Sequence, residues 1–287
     1  MSQRFLSPTK RLRRRRSIVL QLLGLLLLVG IYGSCIELRW VAVEQVSLTL
    51  PRLPRQFSGL RIVQLSDFHY SKWLGDGYYR GIVARVNQMQ PDLIVLTGDF
   101  ITRDTYDAIP CAKNLGQLHA RYGVFAILGN HDHHLPTTAA IVAQAFTKQR
   151  ITVLRNTAAL FTRQGARLWL VGLDDACFRC ENPLQALYGL PDSDVKILLV
   201  HEPDYADTAQ KLPVDLQLSG HSHGGQVRIP FFGGFHYPPM ANKYPLGLNH
   251  AGRLLVYTNR GLGNIIPFRF NCRPEITLLT LNAGTIR

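Results

Sequence analysis

Acidic residues are missing from the first 36 positions of this 287-residue chain. Across residues 1–17 that absence leaves Arg4, Lys10, Arg11 and Arg13 to Arg16 uncompensated, a charge of +7, while the remaining 270 residues carry 25 basic and 19 acidic side chains. More than half of the formal charge of +13 therefore belongs to a tail, and no basic nucleic-acid groove on the folded part is implied. Charge of either sign is then absent from Ser17 to Ile36 (SIVLQLLGLLLLVGIYGSCI). As a helix at 1.5 Å per residue this run is about 30 Å long, the depth of a bilayer's hydrocarbon layer. The expected division is a basic cytoplasmic tail at 1–17, a transmembrane or signal-anchor helix at 18–36, a connecting strand and linker at 37–58, and a folded domain at 59–287. Arginines ahead of the apolar run hold the N-terminus in the cytoplasm and put that domain outside the cytosol. Two alternatives stay open: a non-spanning anchor with the domain in the cytosol, and a cleaved export signal built on Arg15 and Arg16.

Cysteine is also scarce. Five residues (Cys35, Cys111, Cys177, Cys180 and Cys272) are too few and too scattered for a disulfide framework. Cys177 and Cys180 form CFRC, but no second CxxC completes a four-cysteine zinc site and no thioredoxin-like pattern surrounds it. The pair reads as local structure. Internal repeats and low-complexity segments are absent, so nothing points to a solenoid or a disordered chain.

With 46% hydrophobic residues the chain can bury one large core or two smaller ones. Beyond residue 40, short β-branched and Leu-rich runs alternate with polar, helix-compatible stretches, the pattern of a layered α/β domain. Five of these runs end in a ligand-type residue. LRIVQLS stops at Asp67 and His69, DLIVLTG at Asp99, GVFAILG at Asn130 and His131, VKILLV at His201, and VDLQLSG at His221 and His223. Ligands of α/β sheets bind beyond the carboxyl ends of strands, where such loops converge. Clustered carboxylates there require cations, and two divalent ions suit this inventory of imidazoles, carboxylates and an amide.

The order D-x-H (Asp67, His69), G-D (Gly98, Asp99), G-N-H-D (Gly129 to Asp132), a strand-end His201 and G-H-x-H (Gly220 to His223) resembles the calcineurin-like metallophosphoesterase superfamily over residues 60–281. LSGHSHGGQ, TNRGLGN and RPEITLL resemble its bacterial membrane-associated branch, which includes UDP-2,3-diacylglucosamine pyrophosphatases and exported phosphoesterases. The resemblance implies a four-layer α/β/β/α sandwich. It implies one metal held by Asp67, His69, Asp99 and His223 and a second held by Asp99, Asn130, His201 and His221, with Asp99 bridging. Gly220, Gly224 and Gly225 would allow the tight loop that sends His221 and His223 to different metals. Mn, Fe and Zn all accept such donors.

By the same resemblance His131 lies near the leaving group, as general acid or as donor to developing charge, while two metals acidify a bridging water and clamp the phosphoryl oxygens. Many family members carry an Asp where this chain has Thr102, so the expected partners orienting His131 become Asp104 or Asp132. Arg103 and Arg260 are candidate phosphate contacts. His133 and His134 are expected on a solvated loop, and Pro230 to Tyr244 either lines a cleft, touches lipid or packs on the core. The implied function is a membrane-anchored hydrolase of phosphate ester or pyrophosphate bonds in a small-molecule or lipid-linked substrate, with no nucleic-acid partner. Its alternatives are a UDP-2,3-diacylglucosamine pyrophosphatase and, in another class, a non-hydrolytic metal-stabilised binding module.

Overall fold

The central strands are short, nearly continuous apolar runs, and in the computed structural model, which describes residues 8–71, 73–135 and 137–284, they feed three separate cores. In chain order the elements are α1 (Pro8–Ile31), β1 (Ala42–Leu50), β2 (Leu60–Leu65), α2 (Asp76–Gln88), β3 (Leu93–Thr97), α3 (Ala108–Leu115), β4 (Val124–Ile127), α4 (Thr138–Lys148), β5 (Thr152–Val153), β6 (Thr157–Arg163), β7 (Ala166–Gly172), α5 (Pro183–Leu187), β8 (Val195–Leu199), α6 (Ala206–Ala209), β9 (Leu216–Ser219), β10 (Arg228–Ile229), β11 (Gly233–Gly234), β12 (Gly247–Ala251), β13 (Leu254–Thr258) and β14 (Glu275–Ala283). Two six-stranded sheets form, in the orders β1-β14-β2-β3-β4-β5 and β12-β13-β9-β8-β7-β6.

On β2, Ile62 points into the core between the sheets, where it meets Leu170, Ile197 and Leu218; its neighbours Val63 and Leu65 point outward to Ile82 of α2, Leu115 of α3 and Phe146 of α4. On β8, Ile197 and Leu199 face inward while Leu198 packs outward with Ala186 of α5 and Ala206 of α6. Because the side-chain period of a strand is two, each sheet covers a core on both faces, and the layers run helix, sheet, sheet, helix. The four-layer sandwich expected from the sequence is the observed one.

Strands β2, β3 and β4 of the first sheet run parallel, as do β7, β8, β9 and β13 of the second. Gln64 Nε2 donates to the Ser219 carbonyl at 2.8 Å and joins the two sheets beneath the strand ends. Residues 37–58 are less of a linker than expected. Leu38 is buried in the helix-side core, and β1 pairs in parallel with β14 from Ala42↔Glu275 to Leu50↔Ala283, placing Leu48 and Leu50 between the sheets.

The helical run Leu12–Arg39 is long and apolar enough to cross a membrane, and Leu20, Leu26, Leu27 and Leu28 on it are about two-thirds exposed. It ends in a π-turn (Tyr32–Ile36) and a 3₁₀ turn (Glu37–Arg39). Residues 1–7 of the basic tail lie outside the described residues.

Candidate metal centre

Every predicted donor sits within four residues past the end of a strand. Asp67 and His69 follow β2, Asp99 follows β3, Asn130 follows β4, His201 follows β8, and His221 and His223 follow β9. Adjacent loops are tied through the main chain: Asp67 N–H donates to the Gly98 carbonyl at 3.0 Å, His69 N–H to Asp99 at 2.9 Å, and Gly220 N–H to His201 at 3.0 Å. Five of the seven donors (Asp67, His69, Asp99, His221 and His223) have φ between 38° and 67°. Left-handed backbone outside glycine costs of order 1 kcal/mol or more per residue, and its concentration here is strain carried at a site. Gly220 passes so close to Ser66 and the Asp67 carboxylate that a Cβ has no room.

Donor atoms of Asp67, His69, Asp99 and His223 lie within 4.8 Å of one another, as do those of Asp99, His201 and His221, so Asp99 belongs to both groups. Its Oδ2 is 3.4 Å from His69 Nε2 and 3.2 Å from His201 Nε2. His223 Nε2 is 3.0 Å from His69 Nε2 and 3.5 Å from Asp67 Oδ1. Asn130 Oδ1, His201 Nε2 and His223 Nδ1 are buried and make no hydrogen bond among the described residues. Orphaned buried acceptors are costly, and acceptors converging beside two carboxylates have the chemistry of a cation cradle. The residues therefore fit metal ions.

Neighbouring groups set the rings. His201 Nδ1–H donates to the Thr97 carbonyl at 2.6 Å, which leaves Nε2 to face the centre. His69 Nδ1 is 3.3 Å from the Thr102 hydroxyl and His221 Nε2 is 2.9 Å from the Pro239 carbonyl. His221 N–H donates to Asp67 Oδ1 at 2.9 Å, and His131 N–H to Asp99 Oδ1 at 2.9 Å.

Burial works to raise the pKa of Asp99, but the charge of His201 and the His201 and His69 rings facing it win and hold its carboxyl well below the ordinary range. Asp67 is pushed up by burial, with the Asp99 charge adding to the effect. His201 is raised well above its usual value despite burial, because Asp99 and Asp67 face it. His221 and His223 are pushed down by burial, the first further by His201 and the second by His69. The centre thus favours one positive charge among its carboxylates and keeps two imidazoles neutral, with lone pairs to give.

His131 is placed beside the centre, its ring 4.7 Å from that of His69 and nearly perpendicular to it. Neither Asp104 nor Asp132 orients its ring; Nδ1–H donates to the main-chain carbonyl of Thr102 at 2.8 Å. Asp104 instead accepts from Tyr106 N–H, and Asp132 accepts from the N–H groups of Phe100, Ile101 and Gly129, clamping the loops after β3 and β4. Arg260 does not face the centre as a free cation. Its guanidinium is paired with Glu44 and Glu275, so the expected phosphate contact is not the role it has here. Arg103 is exposed next to Thr102.

The His133 side chain is not solvated either: it is 8% exposed and bonds Asp174 at 2.7 Å, which also takes Arg155. Sequence reasoning missed the loop after β7. Asp175 and Glu202 are both buried there, with Glu202 accepting from the N–H groups of Ala176 and Cys177, and Cys177 Sγ lies 4.0 Å from His221 Nε2. Both cysteines of the CFRC pair are free. The signal was available in LWLVGLDD, a sixth apolar run ending in carboxylates.

Comparisons with known proteins agree with this geometry. Residues 60–225 match the model of the calcineurin-like phosphoesterase family. The chain is 38% identical to the uncharacterized metallophosphoesterase YkuE of Bacillus subtilis, over 88% of this chain and 89% of that one. It is 34% identical to the phosphodiesterase YaeI of Escherichia coli, over 77% and 82%, and 29% identical to the UDP-2,3-diacylglucosamine pyrophosphatase LpxG of Chlamydia trachomatis, over 88% and 92%. Among solved structures, TT1561 of Thermus thermophilus shares the fold at a TM-score of 0.50 and 15% identity, over 71% of this chain and 91% of that one. With the family model covering more than half of the sequence, the chain belongs to the calcineurin-like phosphoesterases and is a hydrolase of phosphoester bonds.

Proposed function

We propose that this chain is a membrane-anchored phosphoesterase whose centre holds two divalent metal ions, one on Asp67, His69, Asp99 and His223 and the other on Asp99, Asn130, His201 and His221. The observation that carries the reading is the double membership of Asp99, which lies within ligand distance of both groups of donors. Two ions there would supply an acidified water as nucleophile and neutralise the charge that builds on the phosphoryl oxygens. The protein's own residues do the rest. Main-chain N–H groups of His221 and His131 fix the carboxylates of Asp67 and Asp99, and the Thr97 carbonyl fixes His201. The Thr102 carbonyl holds the Nδ1 proton of His131, so Nε2 is the nitrogen left to exchange a proton with a departing oxygen.

A pyrophosphatase acting on a lipid-linked nucleotide is the second reading, favoured by the relative LpxG, whose match spans 88% of this chain. The test of the centre is elemental analysis of the full chain after reconstitution with Mn²⁺, Fe²⁺ or Zn²⁺. We expect two equivalents, and loss of both in Asp99→Ala. Two equivalents retained by the folded variant would remove the bridging role. Assay of the loaded chain on phosphomonoesters, phosphodiesters and UDP-linked lipids then separates the two readings.

A further inference from the structure

The sequence left open whether Pro230 to Tyr244 lines a cleft, touches lipid or packs on the core. Its tip does not pack: Phe231, Phe232 and Phe235 are 105%, 86% and 79% exposed. Single exposed apolar residues are ordinary, but here three phenylalanines crowd one hairpin, and one of them, Phe235, shares a groove with Ile265 and Ile266 of a second loop, both about half exposed. The two loops are joined. Gln226 donates through Nε2 to the carbonyls of Ile266 and Phe268 at 2.9 and 3.0 Å, and Arg228 N–H donates to the Phe270 carbonyl at 2.9 Å. Arg269 is fully buried beneath the second loop, its guanidinium donating to the carbonyls of Cys272, Arg260, Gly261 and Gly263. This rigid base makes the exposed side chains a built surface.

The same second loop is where the apolar helix is docked. Phe270 meets the ring of Tyr32 edge-on at 6.3 Å, and Arg269 N–H donates to the Gly33 carbonyl at 3.2 Å. Phe268 lies against Gly33 so closely that any side chain there would displace it. Glu37, itself buried, accepts from the N–H groups of Asn271 and Cys272. The aromatic hairpin is thereby fixed beside the end of the helix, where the interface of a membrane containing that helix would lie. Trp40 and Trp73, both more than half exposed, flank this end, Trp73 through its carbonyl to Arg39; tryptophan favours such interfaces.

Between the two loops runs a groove of 280 Å³ whose walls include Phe235, Pro238, Ile265 and Ile266 and whose inner end is Ser222 and His223. At this volume it suits one hydrocarbon segment rather than a whole lipid. Its inner end is a donor of the metal centre. We propose that this groove receives the hydrocarbon chain of a membrane-embedded phosphoester, while Phe231 and Phe232 sit in the bilayer surface, so that the phosphate reaches the metal centre without the substrate leaving the membrane. The proposal rests on the metal-centre reading above, and it adds the class of substrate: a phosphoester with an apolar tail next to the phosphate.

The test uses the full chain, loaded with Mn²⁺, in phosphatidylcholine nanodiscs, with methyl-, butyl- and hexylphosphonate as probes and heats from protein-free nanodiscs subtracted. Affinity is expected to rise up to about fourfold per added methylene, the value of burying one such group. Ile265→Asp and Phe235→Ser, both at exposed positions, are each expected to flatten that slope. A wild-type slope no steeper than that of protein-free nanodiscs, or an unchanged slope in both variants, overturns the proposal. A detergent-solubilised dimer that Phe231→Ser with Phe232→Ser converts to a monomer also overturns it, in favour of a second copy on this face. Hydrolysis of methyl p-nitrophenyl phosphate by the same sample is read separately. If the slope is present and hydrolysis is absent, the groove stands and the metal-centre reading falls.

Discussion

His131 shows how a single residue can keep its place while its support changes. Its ring is oriented by the main-chain carbonyl of Thr102, an acceptor that carries no net charge. We expect His131→Ala to keep its metals, because the side chain is outside both donor groups, and to lower turnover roughly 10²-fold or more. The loss should be smaller with p-nitrophenolate as leaving group, which departs without a proton, than with an alkoxide. Equal losses on both substrates, with metal content intact, would reject proton donation and leave charge stabilisation or positioning. At this scale the donors were legible because each ends an apolar run, so strand and ligand were read together. The partner of His131 was not, because a carbonyl acceptor belongs to every residue and leaves no mark in the sequence. The pairing of Arg260 was hidden for a related reason: Glu44, which helps neutralise it, stands on β1, 216 residues earlier in the chain.

Strand ends are the elements that make the centre, and one of them went unread. The loop after β7 is pinned to the loop after β8 by Asp175 and Glu202, both fully buried. Glu202 also accepts from the N–H groups of Ala176 and Cys177, and Asp175 from Phe178 N–H at 2.7 Å. Burial first, and then the charge of Glu202, push Asp175 up to about 9, so near neutral pH Asp175 holds a proton beside Glu202. An unfolded aspartate titrates near 3.9. The folded state therefore holds a proton that the unfolded chain has lost, and the stability this confers is full below about pH 4 and disappears as pH rises through about 9. In the metal-free chain, urea unfolding followed by tryptophan fluorescence should show stability falling across pH 5–9. Asp175→Asn keeps a permanent donor toward Glu202 and should reduce that slope by as much as about 1.4 kcal/mol per pH unit, the contribution of one proton. An identical slope in the variant would show that no proton is held there. The layered α/β class was legible from the apolar runs and the four-layer sandwich from the family resemblance, whereas the pairing of β1 was not, because its partner lies at the other end of the chain and register over that separation has no local signature.

For the whole molecule the open question is which side of a membrane the sandwich occupies. Arg13 to Arg16 are exposed ahead of the apolar run and Glu37 and the sandwich follow it, an asymmetry that the positive-inside rule converts into a cytoplasmic N-terminus. The helix itself was readable from composition. Its seat against residues 268–272 was not, since Gly33 and Phe268 look unremarkable until they touch. That seat bears on topology, for buried Glu37 and the Gly33 carbonyl leave little slack between helix and sandwich. In a membrane holding that helix, the sandwich would lie against the face from which the helix emerges. Protease added to intact spheroplasts producing the full chain is expected to cut the sandwich, and the exposed Phe231–Phe232 hairpin is the site we expect to be shielded by lipid. Full protection until lysis would put the sandwich in the cytosol. It would also favour the pyrophosphatase reading, because a nucleotide-linked lipid is expected on that side.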